Sequence, residues 1–164
     1  MWFGSGRFDD RALSSWLLTP RRLRTLLNLA PPLLLLGVRI EAVAEDWTSV
    51  DVALRVRRWN SDQRGEAPGW SMFAMCDPFF AMLALGQLGA GYRVRNSSAR
   101  MEFLAPGRGV VRATMELPRE TVAGIRRTIG AGERSVTEHE AFLVDGNGVV
   151  VARARQRLYV TAAR

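Results

Sequence analysis

The chain has 164 residues, 48% of them hydrophobic, enough for one domain to bury a core without staples. Its single cysteine, Cys76, excludes an intrachain disulfide, and no Cys/His cluster has zinc-site spacing, so no metal is expected and a reducing, cytoplasmic setting is. The formal charge of +7 rests on 23 basic residues, all arginine, and by itself selects among nucleic acid, anionic lipid and nucleotide phosphates not at all.

Met1 to Asp10 carry the acidic pair Asp9-Asp10 and no continuous apolar run, unlike a signal peptide. Trp16, Leu17, Leu23, Leu26 and Leu27 then recur at helical spacing around Pro20 and the basic residues Arg21, Arg22 and Arg24, which predicts two short amphipathic helices. A basic amphipathic helix can lie on a membrane surface, but in a small domain its stripe is expected to pack on the protein's own body. The longest apolar stretch, Leu27 to Val38, is interrupted by Asn28 and Pro31-Pro32 and falls short of the roughly 20 residues of a membrane span, so no stable membrane insertion is expected. Residues 1–36 therefore read as an N-terminal helical extension and 37–164 as the main domain.

At Gly37 the period changes from helical to two. Val38, Ile40 and Ala42, then Val50, Val52, Leu54 and Val56, alternate with mostly polar neighbours, as in a hairpin with one wet face. After a polar stretch, Gly69 to Leu88 is apolar on nearly every side and predicts a helix buried all round. Four strands follow at Tyr92–Leu104, Val110–Leu117, Ser135–Val144 and Val149–Val160, with an amphipathic helix at Pro118–Ile129 and a tight turn at Asp145-Gly146-Asn147-Gly148. About six strands can cover an apolar helix only by curling over it, which makes the fold class α+β with a central buried helix.

One carboxylate, Asp77, stands inside that helix in Phe73-Ala74-Met75-Cys76-Asp77-Pro78-Phe79-Phe80. An unpaired buried charge costs several kcal/mol, which marks Asp77 as a candidate for chemistry. Asp before Pro is also a good helix start, with Asp as N-cap and Pro at the first position, and both readings stand at this point. Cys76 beside it is read as a small buried core residue, since the only histidine, His139, lies on a distant strand and nothing near the thiol would activate it.

The stretch Gly69-Trp70-Ser71-Met72-Phe73-Ala74-Met75-Cys76-Asp77-Pro78-Phe79-Phe80, with Phe103-Leu104-Ala105-Pro106-Gly107 after it, resembles the hotdog-fold thioesterases of the phenylacetyl-CoA type. It resembles still more the branch labelled tetrameric acyl-CoA thioesterase, whose members run His-Gly-Gly, six residues, Asp, and then a strand ending in Phe-Leu-x-Pro-Gly. The resemblance spans Gly37 to Val160 and implies a curled sheet around a central helix, an acyl-CoA substrate, no cofactor beyond the coenzyme A of that substrate, and a homodimer or tetramer. It also implies that Asp77 is the catalytic carboxylate, as general base or nucleophile, and that backbone N–H groups at Gly69 and Trp70 polarise the thioester carbonyl. A helix start suits that task because its N–H groups are unpaired and its dipole end is positive.

This chain departs from the pattern at Pro68, which replaces the histidine and has no N–H, and at Trp70, which replaces the second glycine as a pocket wall or a core anchor. Asp62 stands where relatives carry a polar residue, often Asn, before the carboxylate. Asn96 and Ser97 fall where relatives present polar side chains to a neighbouring subunit's site, and Arg64 and Arg108 are the candidates for the CoA phosphates. Three function classes follow: a thioesterase, a non-catalytic hotdog module that binds acyl groups or a protein partner, and a basic surface binder. Nucleic acid is not expected, because the aromatic and basic interleaving of single-strand platforms is missing.

Overall fold

A computed structural model describes residues 19–163. The reading of Met1–Asp10 and the helical turn at Trp16 and Leu17 lie outside the described residues. Helices α1 (Pro20–Leu29) and α2 (Pro31–Leu36) lead into β1 (Val38–Val43) and β2 (Ser49–Arg55). Then come α3 (Gly69–Ala74), α4 (Phe79–Leu88), β3 (Tyr92–Phe103), β4 (Val110–Glu116), α5 (Arg119–Gly130), β5 (Ser135–Val144) and β6 (Val150–Ala162). All strand pairs are antiparallel, in the order β1-β2-β4-β5-β6-β3.

The alternation seen in the sequence sets the two faces. Ile40, Val52, Ala113 and Leu143 lie opposite one another across β1, β2, β4 and β5, and all four are buried. They close over α4, whose Phe79, Phe80, Leu83 and Ala84 are at most 2% exposed. The other face is wet and laced with ion pairs: Arg112 meets Glu41 at 3.0 Å, while Arg153 and Arg155 converge on Glu140 at 2.7 and 3.0 Å. By length and hydropathy Gly69–Leu88 matches a membrane span, yet here it is two helices and half of it is packed inside the domain.

The central helix breaks where the sequence places Asp77-Pro78. Residues 75–78 form turns, because Pro78 cannot donate to the helical ladder and crowds the preceding turn. Pro78 itself is the N-cap of α4, and no side chain caps that end. Asp77 is therefore not the helix cap.

The two sheet edges differ. At β1 the Asn28 amide acts as a strand surrogate, donating to the Ile40 carbonyl at 3.0 Å and accepting from the Ile40 N–H at 2.8 Å. Arg24 Nε adds a bond to the same carbonyl at 3.3 Å. At the opposite end, β3 pairs with β6 on one side only, so the other edge of a 12-residue strand is without a strand partner among the described residues.

Candidate active site

The two motifs meet in space. The Ala67 N–H donates to the Gly107 carbonyl at 2.7 Å, and Gly107 lies so close to Val111 and Ala67 that a side chain there would crowd them. Phe103, at the end of β3, lays its ring on Gly69: a Cβ at position 69 would stand 2.9 Å from Phe103 Cζ. Glycine at 69 thus admits the chain's own aromatic ring, where the sequence alone pointed to close approach by a ligand. The Pro68 carbonyl accepts from the Ser71 and Met72 N–H groups. The N–H groups of Gly69 and Trp70 have no acceptor among the described residues. The Trp70 side chain is 69% exposed and so is not a core anchor.

Asp77 is half-buried at the helix break, and β3 brings Asn96 to it across 19 positions of sequence. Asn96 Nδ2 donates to the Asp77 carbonyl at 2.7 Å and lies 3.3 Å from its Oδ1, while Asn96 Oδ1 is buried without a partner. Asp77 Oδ2 takes no hydrogen bond from the described residues. Burial pushes the adjacent Cys76 thiol up to about 12, and the Asp77 carboxylate adds to the effect, so Cys76 stays a protonated core residue.

A β-bulge between Asn96 and Ser98 sets which side chains of β3 face the helix. Up to the bulge Val94 and Asn96 lie opposite the buried Val160 and Leu158. Past it, Ala99 and Met101 lie opposite the buried Gln156 and Ala154. One extra residue has switched the facing set from even to odd positions. Ser97 is the extra residue: exposed, it donates through Oγ to the Arg157 carbonyl at 3.0 Å and does not join Asp77.

The loop before α3 holds the other candidates. The exposed Asp62 carboxylate accepts from the N–H groups of Arg64 and Glu66 at 2.8 and 2.9 Å, and the Glu66 N–H chiefly holds its pKa below the ordinary value. That carboxylate therefore organises its own turn. Arg108 pairs with Glu66 at 2.8 Å, whereas the exposed side chain of Arg64 makes no ion pair among the described residues and acts on the Asp62 carboxylate only through its charge.

Sequence reasoning missed a second polar row. His139 and Gln156 are paired across β5 and β6 with Ala99 beyond them, both buried and both facing the helix. His139 stacks on Phe80, ring centroids 5.2 Å apart, and its Nε2 lies 2.8 Å from Thr137 Oγ1, while Gln156 Oε1 has no partner. The signal was present: Gln156 falls on the same alternate phase as Ala152, Ala154, Leu158 and Val160.

A family model described as a domain of unknown function, DUF4442, matches residues 21–160. The chain belongs to the DUF4442 family. Among solved structures, this DUF4442 domain is similar to a Pseudomonas aeruginosa protein described as a probable thioesterase, with TM-score 0.79 and 18% identity over 88% of this chain and 97% of that one. It is similar to a Chlorobaculum tepidum protein of unknown function, with TM-score 0.71 and 15% identity over 89% and 98%. A Haemophilus influenzae thioesterase gives TM-score 0.65 and 17% identity over 88% and 91%. No curated protein sequence matches the chain. The DUF4442 domain is thus a hotdog fold, a curled antiparallel sheet around a central helix.

One prediction follows from the buried ring in this DUF4442 domain. Burial holds the His139 pKa below its ordinary 6.5, so at mildly acid pH the unfolded chain takes up a proton that the folded one refuses. Stability is then fully present above the unfolded pKa and falls as pH drops through about 6.5, by at most about 1.4 kcal/mol per pH unit. Urea midpoints between about pH 8 and pH 5.5 should show this slope in the native protein and not in His139→Phe. A native protein more stable at the acid end would mean that the folded ring is the better base.

Proposed function

We propose that the protein is an acyl-CoA thioesterase in which Asp77 is general base or nucleophile. The observation that carries this reading is the pairing of Asp77 with Asn96 at the break in the central helix. The Asn96 amide fixes the carbonyl and one carboxylate oxygen, leaving Oδ2 for a water molecule. As a base, Asp77 takes a proton from that water as its oxygen attacks the thioester carbonyl. The tetrahedral intermediate then collapses, breaking the C–S bond to give the free acid and the thiol of CoA. As a nucleophile, the Asp77 carboxylate attacks the thioester carbonyl and the C–S bond breaks. CoA leaves as its thiolate, to be protonated, and a mixed anhydride remains; water then opens it to the free acid and restores the carboxylate. The Gly69 and Trp70 N–H groups would receive the developing oxyanion, with Arg64 and Arg108 near the CoA phosphates.

The ring of Phe103 over Gly69 favours a second reading, a non-catalytic hotdog module that binds acyl groups. A panel of short, long and aromatic acyl-CoA thioesters, followed by release of free thiol, separates the two. Hydrolysis of at least one class is expected; binding of every class without hydrolysis by any would leave the module.

The reading includes a homodimer. An open β3 edge facing a covered β1 edge favours a two-fold partner that continues the sheet along β3, next to Asn96. Light scattering at micromolar concentration should give twice the protomer mass or a multiple of it, and a monomer would remove the partner from the site.

A further inference from the structure

The leucines of the N-terminal helices do not all pack. Leu23 is buried and Leu27, Leu33 and Leu36 lie against the core, but Leu29, Leu34 and Leu35 point outward, 66%, 49% and 69% exposed. Of the described residues in the expected stripe, Leu23 and Leu27 do pack on the domain, while Leu26 is 42% exposed. The second helix, Pro31–Leu36, has no polar residue with which to face water. Asn60 brings a further aromatic to it: its Nδ2 donates to the Leu36 and Arg55 carbonyls, both at 2.9 Å, and so holds the adjacent Trp59, 58% exposed, beside the leucines. Between them lies a groove of about 360 Å³ lined by Leu29, Leu34 and Trp59 together with Arg39, Arg55 and Arg57.

The charge of this patch is not neutralised. Elsewhere on the domain arginines meet carboxylates, as at Arg21–Glu45, Arg112–Glu41, Arg119–Asp46 and Arg155–Glu140. Arg39, Arg55 and Arg57 have no carboxylate within ion-pair distance among the described residues.

We infer that this face docks on an anionic lipid bilayer, with the leucines and Trp59 at the acyl–headgroup boundary and the three arginines on lipid phosphates. Exposed leucine and tryptophan beside unpaired cations is the composition that interfacial binding rewards. A two-fold contact with a second copy would set these arginines against their own images. The chain's first eighteen residues carry Arg7 and Arg11 against Asp9 and Asp10 and so bring no net negative charge. The inference stands on the patch alone and does not depend on the thioesterase reading.

Vesicle flotation of the full chain tests it. The protein should float with vesicles of about 70% phosphatidylcholine and 30% phosphatidylglycerol, stay behind with phosphatidylcholine alone, and be released by about 0.5 M NaCl. Leu29→Ser with Leu35→Ser, and separately Arg55→Ser with Arg57→Ser, should each lower partitioning by about tenfold or more. All four side chains are exposed, so the fold should survive, which circular dichroism checks. The inference is overturned by a native protein that floats with neither vesicle, by binding that survives both double substitutions, or by a leucine variant that changes the particle mass in solution, which would make the occupant another copy.

Discussion

Asp77→Asn is expected to leave the domain folded and to lower thioester turnover by roughly 10² to 10⁴. The fold should survive because Asp77 caps nothing: Pro78 is the N-cap of α4, and the bond from Asn96 Nδ2 to the Asp77 main-chain carbonyl does not involve the side chain that changes. The shape at position 77 is kept, and its proton affinity is lost. An amide cannot take a proton from water at neutral pH or attack a thioester as a carboxylate does. Comparing kcat for the two proteins on the best substrate of the panel, with circular dichroism alongside, gives the result. Unchanged hydrolysis in a folded Asn variant would remove Asp77 from the chemistry and return the helix break to a purely structural role.

The fold was legible because its signals are local and repeated. Alternation of apolar residues marked the first hairpin, the Asp145–Gly148 turn marked the last, and the all-round apolar run at Gly69–Leu88 required a sheet that closes over it. The strand order was not legible, since pairing β3 with β6 across the width of the sheet depends on contacts that no local pattern encodes. At the site, Asp77 stood out as a charge among aromatics, and Asn96 stood out only through the family pattern. The bulge at Ser97 was invisible, because one inserted residue in a strand of mixed polarity leaves no periodic trace. Trp70 shows the same limit from the other side: a tryptophan in an apolar run reads as core, yet the break after Ala74 makes α3 a single short helix with one side packed. Ser71 and Met72 take that packed side, and Trp70 is left outside.

Two aromatics ten positions apart on this helical stretch should therefore behave oppositely when truncated. Phe80 is fully buried, lies in the central cluster and stacks on His139. Phe80→Ala removes its transfer free energy and leaves a cavity that the closed sheet cannot fill, a loss of about 3–5 kcal/mol. It also uncovers the row of His139 and Gln156, whose Oε1 already has no partner, so the lost stack has no substitute nearby. Trp70→Ala removes a mostly exposed side chain and replaces it with a better helix former, so protomer stability should change by less than about 1 kcal/mol. Its effect should fall on what borders the helix start: the ratio of kcat/KM for bulky over short thioesters should rise as the indole at the entrance is removed. Urea denaturation at two protein concentrations makes the comparison clean, because a cavity inside one protomer costs the same at both, whereas a contact between protomers does not. A Phe80→Ala loss below about 1 kcal/mol would mean that the helix is not held by the sheet as described, and a Trp70→Ala loss as large as that expected for Phe80, at both concentrations, would place the indole inside the core after all.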